Sequence, residues 1–259
     1  MKNTKILAVL LAVAAVTPCL TGCGDKKKSS MPLYAETPSS TQPVVFDGES
    51  YANQLSEQVN AAEVSAGDLD IGSINGELVS PEEGSADYSL GDYRVSNDGI
   101  KLYYDETEFP QELVLTFAKY FESLQDGDYS TYYKTLFPEY ITEMETVLAT
   151  KENHTLKDSF VNQCVRVASI TNGKFKITRI KLEKPAPRED GQDNVQGYFD
   201  RLNGYLEKDY YSIANEQSDN LIGACFYVMG EDASGKEGMI LSEQNIVFAQ
   251  KDGKYYTFG

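Results

Sequence analysis

The stretch that most constrains the fold runs from Phe109 to Tyr140, where two amphipathic helical patterns meet at an Asp-Gly-Asp break centred on Gly127. Glycine suits the left-handed end of one helix, and the aspartate after it can cap the next. Pro138 then stops the second pattern and suits the first turn of a third. Apolar residues of the first pattern fall on one helical face: Leu113, Phe117, Tyr120, Phe121 and Leu124. The stretch therefore predicts consecutive helices with an aromatic inner face.

Helical periodicity continues to about Gly173 and then gives way to alternation in twos. A fourth helix is predicted after Thr155, a strand with a bulge near Arg179, and a further helix after Asn194. The C-terminal third reads as an antiparallel meander over residues 224–229, 239–249 and 254–258. Helices first and strands last predict an α+β fold, with N-terminal helices packed on a curved, cone-like antiparallel sheet of about four strands.

The predicted domain covers residues 94–259 and opens with a short hairpin around Asn97-Asp98-Gly99. Residues 23–93 before it are rich in small and polar residues, and no Lys or Arg occurs between Ser29 and Tyr93. Tyr51 to Val64 has a weak helical pattern, and Asn75-Gly76 hints at a hairpin. Such a composition predicts an acidic, disordered linker. An alternative is a segment that folds on a basic partner.

The N-terminus predicts secretion and lipid anchoring. Lys2 and Lys5 precede a short apolar run, which is typical of a signal peptide over residues 1–22. The following Leu20-Thr21-Gly22-Cys23 resembles the lipobox of bacterial lipoproteins, which implies a lipid on Cys23 and a location outside the cytoplasm on a membrane. A plain cleaved signal peptide with an incidental cysteine is the alternative.

Two parts of the domain carry a further resemblance. Leu113 to Tyr140, and the ending Val247 to Tyr256 with its Asp-Gly-Lys turn, resemble the nuclear-transport-factor-two-like superfamily of cystatin-like α+β domains. A tryptophan usual near the end of that family is replaced here by Tyr255 or Tyr256. The superfamily holds enzymes, ligand pockets and non-catalytic modules, so the resemblance implies a fold rather than a function.

Motifs for chemistry are sparse. The sequence has no Gly-rich phosphate loop, nucleophile elbow, HExxH or CxxC pair. The single histidine, His154, lies in a predicted helix break, where a solvated loop histidine is the ordinary interpretation. Cys164 and Cys225 are either a disulfide pair or two buried free thiols. We expect no metal site and no cofactor, and the net charge of -17 disfavours nucleic acid as a partner.

Three functions remain after these exclusions. The first is a non-catalytic envelope protein that binds a small apolar ligand, a peptide or an envelope partner, with Phe117, Phe121 and Tyr133 as candidate pocket-lining residues. The second is a ketosteroid-isomerase-like proton-transfer enzyme or dehydratase, whose donors would come from Tyr120, Tyr132, Tyr133 and Tyr227. A transport substrate-binding protein is disfavoured because the domain is too small for two lobes. The absence of catalytic motifs favours the first.

Overall fold

The computed structural model describes residues 46–259. The predicted signal peptide, the proposed lipid site at Cys23 and residues 24–45 of the predicted linker lie outside the described residues. The helices are α1 Gly48–Ala61, α2 Gln111–Asp126, α3 Tyr129–Thr135, α4 Pro138–Val147, α5 Leu156–Ile170, α6 Asn194–Leu206 and α7 Tyr210–Gln217. The strands are β1 Ile74–Val79, β2 Tyr93–Ser96, β3 Lys101–Tyr103, β4 Phe175–Glu183, β5 Asn220–Asp232, β6 Glu237–Lys251 and β7 Lys254–Thr257.

Local sequence signals account for the ends of the central helices. Gly127 ends α2 with φ 69° and a left-handed conformation. Asp128 caps α3 by accepting a hydrogen bond from the Thr131 backbone N–H. Thr155 and Asp158 form a capping box at the start of α5. A π-helical turn, Leu148–Glu152, extends α4. These helices lie where the periodicity predicts them.

The predicted sheet is wrong in size and in type. The seven strands form one sheet in the order β1-β2-β3-β4-β5-β6-β7 instead of an antiparallel sheet of about four strands. The sheet is mixed because β3 and β4 run parallel, with Leu102 opposite Ile180. The helices from α2 to α5 form the crossover between these two strands. Short strands before the helices thus join the same sheet as the C-terminal meander.

The predicted disordered tether is also wrong for its described part. Residues 46–93 hold α1 and β1, and α1 packs against α5. Leu55 and Val59, one helical turn apart, are buried, which explains why so weak a pattern folds. Lys157 of α5 donates to the Ala62 carbonyl at 2.7 Å and so satisfies the C-terminal end of α1. Asn75-Gly76 lies within β1 and is not a hairpin turn.

One aromatic-rich core joins the helices to the sheet. The largest fully buried side chains include Tyr132, Tyr140, Phe117, Phe160 and Phe248. The predicted bulge in β4 is confirmed, since the register with β5 shifts between Ile177 and Arg179. In residues 46–259, no helix has the length and apolar character needed to cross a membrane.

Candidate functional site

A buried cluster of charged side chains lies on the face of the sheet away from the main core. Residues 80–92, which connect β1 to β2, fold over this face and are called the strap below. Asp87 of the strap is only 8% exposed. Its carboxylate accepts hydrogen bonds from Tyr103 Oη at 2.7 Å and from Arg179 Nε at 2.5 Å. Lys101 Nζ forms an ion pair with the other carboxylate oxygen.

Strand alternation explains how these side chains meet. Leu102 and Ile180 belong to the main core, so their neighbours Lys101, Tyr103 and Arg179 face the opposite side. The bulge before Arg179 sets this phase in β4. Arg179 also contacts Glu237 through Nη1, and Glu237 accepts from Thr178 Oγ1 at 2.9 Å. The cluster therefore ties the strap to β3, β4 and β6.

Asp87 is ionised and Tyr103 is protonated near neutral pH. Burial by itself would raise the pKa of Asp87, but hydrogen bonds from Lys101, Tyr103 and Arg179 outweigh burial and lower the pKa to about 2. Burial, followed by the hydrogen bond to Asp87, raises the pKa of Tyr103 well above its ordinary value. An acid with so low a pKa is a weak general base at neutral pH. The arrangement suits a structural clamp more than proton transfer.

The predicted pocket-lining residues have aromatic neighbours. Phe117 and Phe121 are fully buried, with ring centroids 5.0 Å apart. Phe117 also packs edge-on against Phe226 at 5.0 Å and Phe248 at 5.3 Å. Tyr133 is only partly buried and packs on Tyr129 in α3, at 5.9 Å. Aromatic rings therefore surround Phe117, one of the three predicted pocket-lining residues.

The tyrosines considered as proton donors have ordinary packing roles. Tyr120 Oη donates to Gln163 Oε1 at 2.9 Å, and Gln163 Nε2 donates to Tyr132 Oη at 3.0 Å. Burial raises the pKa of both tyrosines above the usual value. Burial likewise raises the pKa of Tyr227, which lies beside Cys225. These phenols stay protonated, and the Tyr120–Tyr132 pair satisfies its hydrogen bonds inside the core.

The remaining single residues show no reactive arrangement. His154 lies in the break before α5, with Nδ1 3.9 Å from Asp158 Oδ2. Cys164 and Cys225 are free thiols in the structure. Burial raises the pKa of Cys164 to about 12 and that of Cys225 to about 11, so neither forms a thiolate at neutral pH. Within the described residues, no group of three or more His, Cys, Asp or Glu side chains could hold a metal ion.

Sequence reasoning missed the charged cluster. One signal was present, because Arg179 occupies the position where the alternation in β4 slips, and a charged residue there has to point away from the core. The partner in the strap could not be found in the same way, because Asp87 is one of twelve acids between Ser29 and Tyr93. Comparison with protein-family models, with curated proteins and with solved structures found no match.

Proposed function

We propose that this chain is a lipid-anchored protein of the cell envelope whose folded domain binds a peptide or protein partner and catalyses no reaction. Anchoring is supported by the order of sequence features at the N-terminus. A basic start, a short apolar run and Leu20-Thr21-Gly22-Cys23 follow one another as in bacterial lipoproteins. Two or more acyl chains at Cys23 would hold the protein stably on a bilayer.

The observation that carries the binding assignment is the ring packing around Phe117. Phe117 makes ring contacts with Phe121, Phe226 and Phe248, and Phe121 also contacts Phe226. Small-molecule sites need a concave cavity of a few hundred cubic ångströms. Such packing favours recognition at the surface over a small apolar ligand inside.

The charged cluster supports the non-catalytic assignment. Asp87 and Tyr103 are a buried acid with a facing phenol, the combination that a proton-transfer enzyme would use. However, Arg179 and Lys101 keep Asp87 ionised, with a pKa of about 2. An isomerase base instead needs a pKa near the working pH and access to the substrate carbon. Asp87 meets neither requirement, because its pKa is far below neutral pH and its side chain is buried between the strap and the sheet.

Replacing the proposed lipid site tests the anchoring. We expect Cys23→Ala to move the chain from the membrane fraction to the soluble fraction and to abolish incorporation of labelled palmitate. Cys164→Ala is the matched control and should leave the chain in the membrane fraction. Membrane retention of the Cys23→Ala chain would contradict the anchoring. Asp87-dependent exchange of ketone α-protons in D₂O would contradict the non-catalytic assignment.

A further inference from the structure

The two edges of the sheet differ. At one edge, β7 is covered: Leu136 forms a parallel bridge with Thr257, and the Phe137 N–H donates to the Thr257 carbonyl at 2.9 Å. At the other edge, β1 pairs only with β2, and no strand in residues 46–259 pairs with its outer side. Such an edge presents backbone N–H and C=O groups to any extended chain. We call Ile74–Val79 with its open side the β1 edge.

The middle of the β1 edge is loosely held by the sheet. Asn75 pairs with Val95 and Val79 pairs with Tyr93, so three residues of β1 lie opposite Arg94 alone. The Gly76 carbonyl accepts from Arg94 Nη1 at 3.3 Å. An excess of residues on one strand leaves part of its backbone without ladder partners. The pairing between β1 and β2 is therefore interrupted in the middle of the β1 edge.

The side chains at the β1 edge are unusual for an unprotected strand. Leu78 is 48% exposed and Val79 is 38% exposed. Natural proteins guard such edges with charged residues, proline or bulges. The β1 edge has Glu77 and an irregular pairing with β2, but no lysine or proline. Because they are adjacent in a strand, Leu78 and Val79 point to opposite faces, so each can contact alternate side chains of an added strand.

The charge around the β1 edge selects the kind of partner. Glu77 lies in the strand, Glu82 and Glu83 follow it, and Asp92 adjoins Tyr93, the residue paired with Val79. All four acids are exposed, and residues 46–259 provide no ion pair to Glu82, Glu83 or Asp92. Arg94, on the strand that pairs with β1, is engaged with Glu106. A second copy of this edge would meet like charges, whereas a lysine-rich segment would meet opposite ones.

We propose that the β1 edge is a docking site for an extended, lysine-rich segment of another envelope protein, which adds to the sheet as an eighth strand. Backbone hydrogen bonds along β1 supply the affinity. Leu78 and Val79 contact apolar residues of the segment, and the surrounding carboxylates select its lysines. This inference rests on the proposed binding function and names its surface and its partner class.

The test uses the detergent-solubilised full chain and a defined probe, a fluorescein-labelled octapeptide of alternating lysine and valine. We expect binding in fluorescence anisotropy at 150 mM salt, weakened at least tenfold by the triple change Leu78→Lys, Glu82→Lys and Glu83→Lys. The matched control places the same charge change on exposed positions of α1 and α7, with Asn215→Lys, Glu57→Lys and Glu216→Lys, and should bind within about twofold of the unmodified chain.

A second probe separates strand addition from simple charge attraction. The same peptide with alternate amides N-methylated keeps its charge but cannot hydrogen-bond along a strand, so we expect at least tenfold weaker binding. Equal binding of the two peptides would overturn the proposal, as would equal binding of the edge and control variants or no binding at all. Sedimentation of the peptide-free chain as a dimer that the edge variant dissociates would assign the β1 edge to a second copy instead.

Failure of this inference is distinguishable from failure of the proposed function. If the peptide does not bind but Cys23 still determines membrane attachment and no Asp87-dependent reaction appears, only the docking site is wrong. If the Cys23→Ala chain stays on membranes, the anchoring is wrong whatever the peptide does.

Discussion

At the scale of single residues, Asp87 links the strap to two strands of the sheet. Its carboxylate, carried by the strap, forms ion pairs with Arg179 and Lys101 of the sheet. Arg179 is 7% exposed, so its charge would be costly there without a partner. The ion pair between Asp87 and Arg179 therefore holds the strap against the sheet. Removing one partner should destabilise the protein more than replacing both with apolar residues of the same shape.

Neutralising Asp87 should expose this dependence. We expect Asp87→Asn to lower the free energy of unfolding by about 2 kcal/mol, because the buried Arg179 keeps Glu237 but loses its charge-assisted hydrogen bond to Asp87. Urea unfolding at pH 7 measures the effect. The control is Asp92→Asn, an exposed acid of the strap, which should change stability by less than about 0.5 kcal/mol. A similar loss in both variants would show that the ion pair does not hold the strap.

The pH dependence follows from the lowered pKa of Asp87. Because the folded-state pKa of about 2 is below the ordinary value of 3.8, the stabilisation from ionised Asp87 is complete above about pH 5 and is lost as the pH falls toward about 2. Asp87→Asn should lack this component. The measurement is the free energy of unfolding of the two chains between about pH 2 and pH 7. The same pH dependence in both chains would contradict the lowered pKa of Asp87.

At the scale of elements, α1 shows how little apolar surface is enough when tertiary contacts complete a helix. Its buried face is Leu55 and Val59, and its start is capped by Asp47, which accepts from the Ser50 N–H. Isolated helices of this length are marginal in water. Packing on α5 and the contact with Lys157 stabilise α1, which explains why the sequence alone reads as a linker.

Truncating the buried face of α1 should undock it. We expect Leu55→Ala to cost about 3 kcal/mol by loss of apolar burial and by the cavity left behind. Urea unfolding together with hydrogen exchange of the α1 amides measures the effect. Gln58→Ala, on the exposed face of the same helix, is the control and should be near neutral. Unchanged stability and exchange in Leu55→Ala would mean that α1 is not docked in solution.

At the scale of the whole molecule, one sheet contains strands that precede the helices α2 to α5 in the sequence and strands that follow them. The parallel pair β3 and β4 needs the crossover through α2 to α5, and the strap fastens the early strands to the later ones. Stability therefore comes from long-range contacts and not from covalent links. Cys164 on α5 and Cys225 on β5 are free thiols in this arrangement.

Reduction should leave the folded chain unchanged. Since Cys164 and Cys225 are free, we expect the melting temperature to shift by less than about 1 °C on adding dithiothreitol. A native disulfide would instead contribute about 2 to 4 kcal/mol, which reduction would remove. Thiol titration of the denatured, unreduced chain provides the second readout and should detect both residues. A large drop in melting temperature with reductant would establish the disulfide.

The sequence by itself determined the helices from α2 to α5, their caps at Asp128 and Thr155, and the bulge near Arg179. These features depend on residues within one or two helical turns, or on alternation along one strand. Tertiary structure alone decided that β1, β2 and β3 join the later strands, that α1 folds, and that Phe117 and Phe121 pack against Phe226. Each of these results depends on partners far along the chain, whose burial energy no local pattern contains.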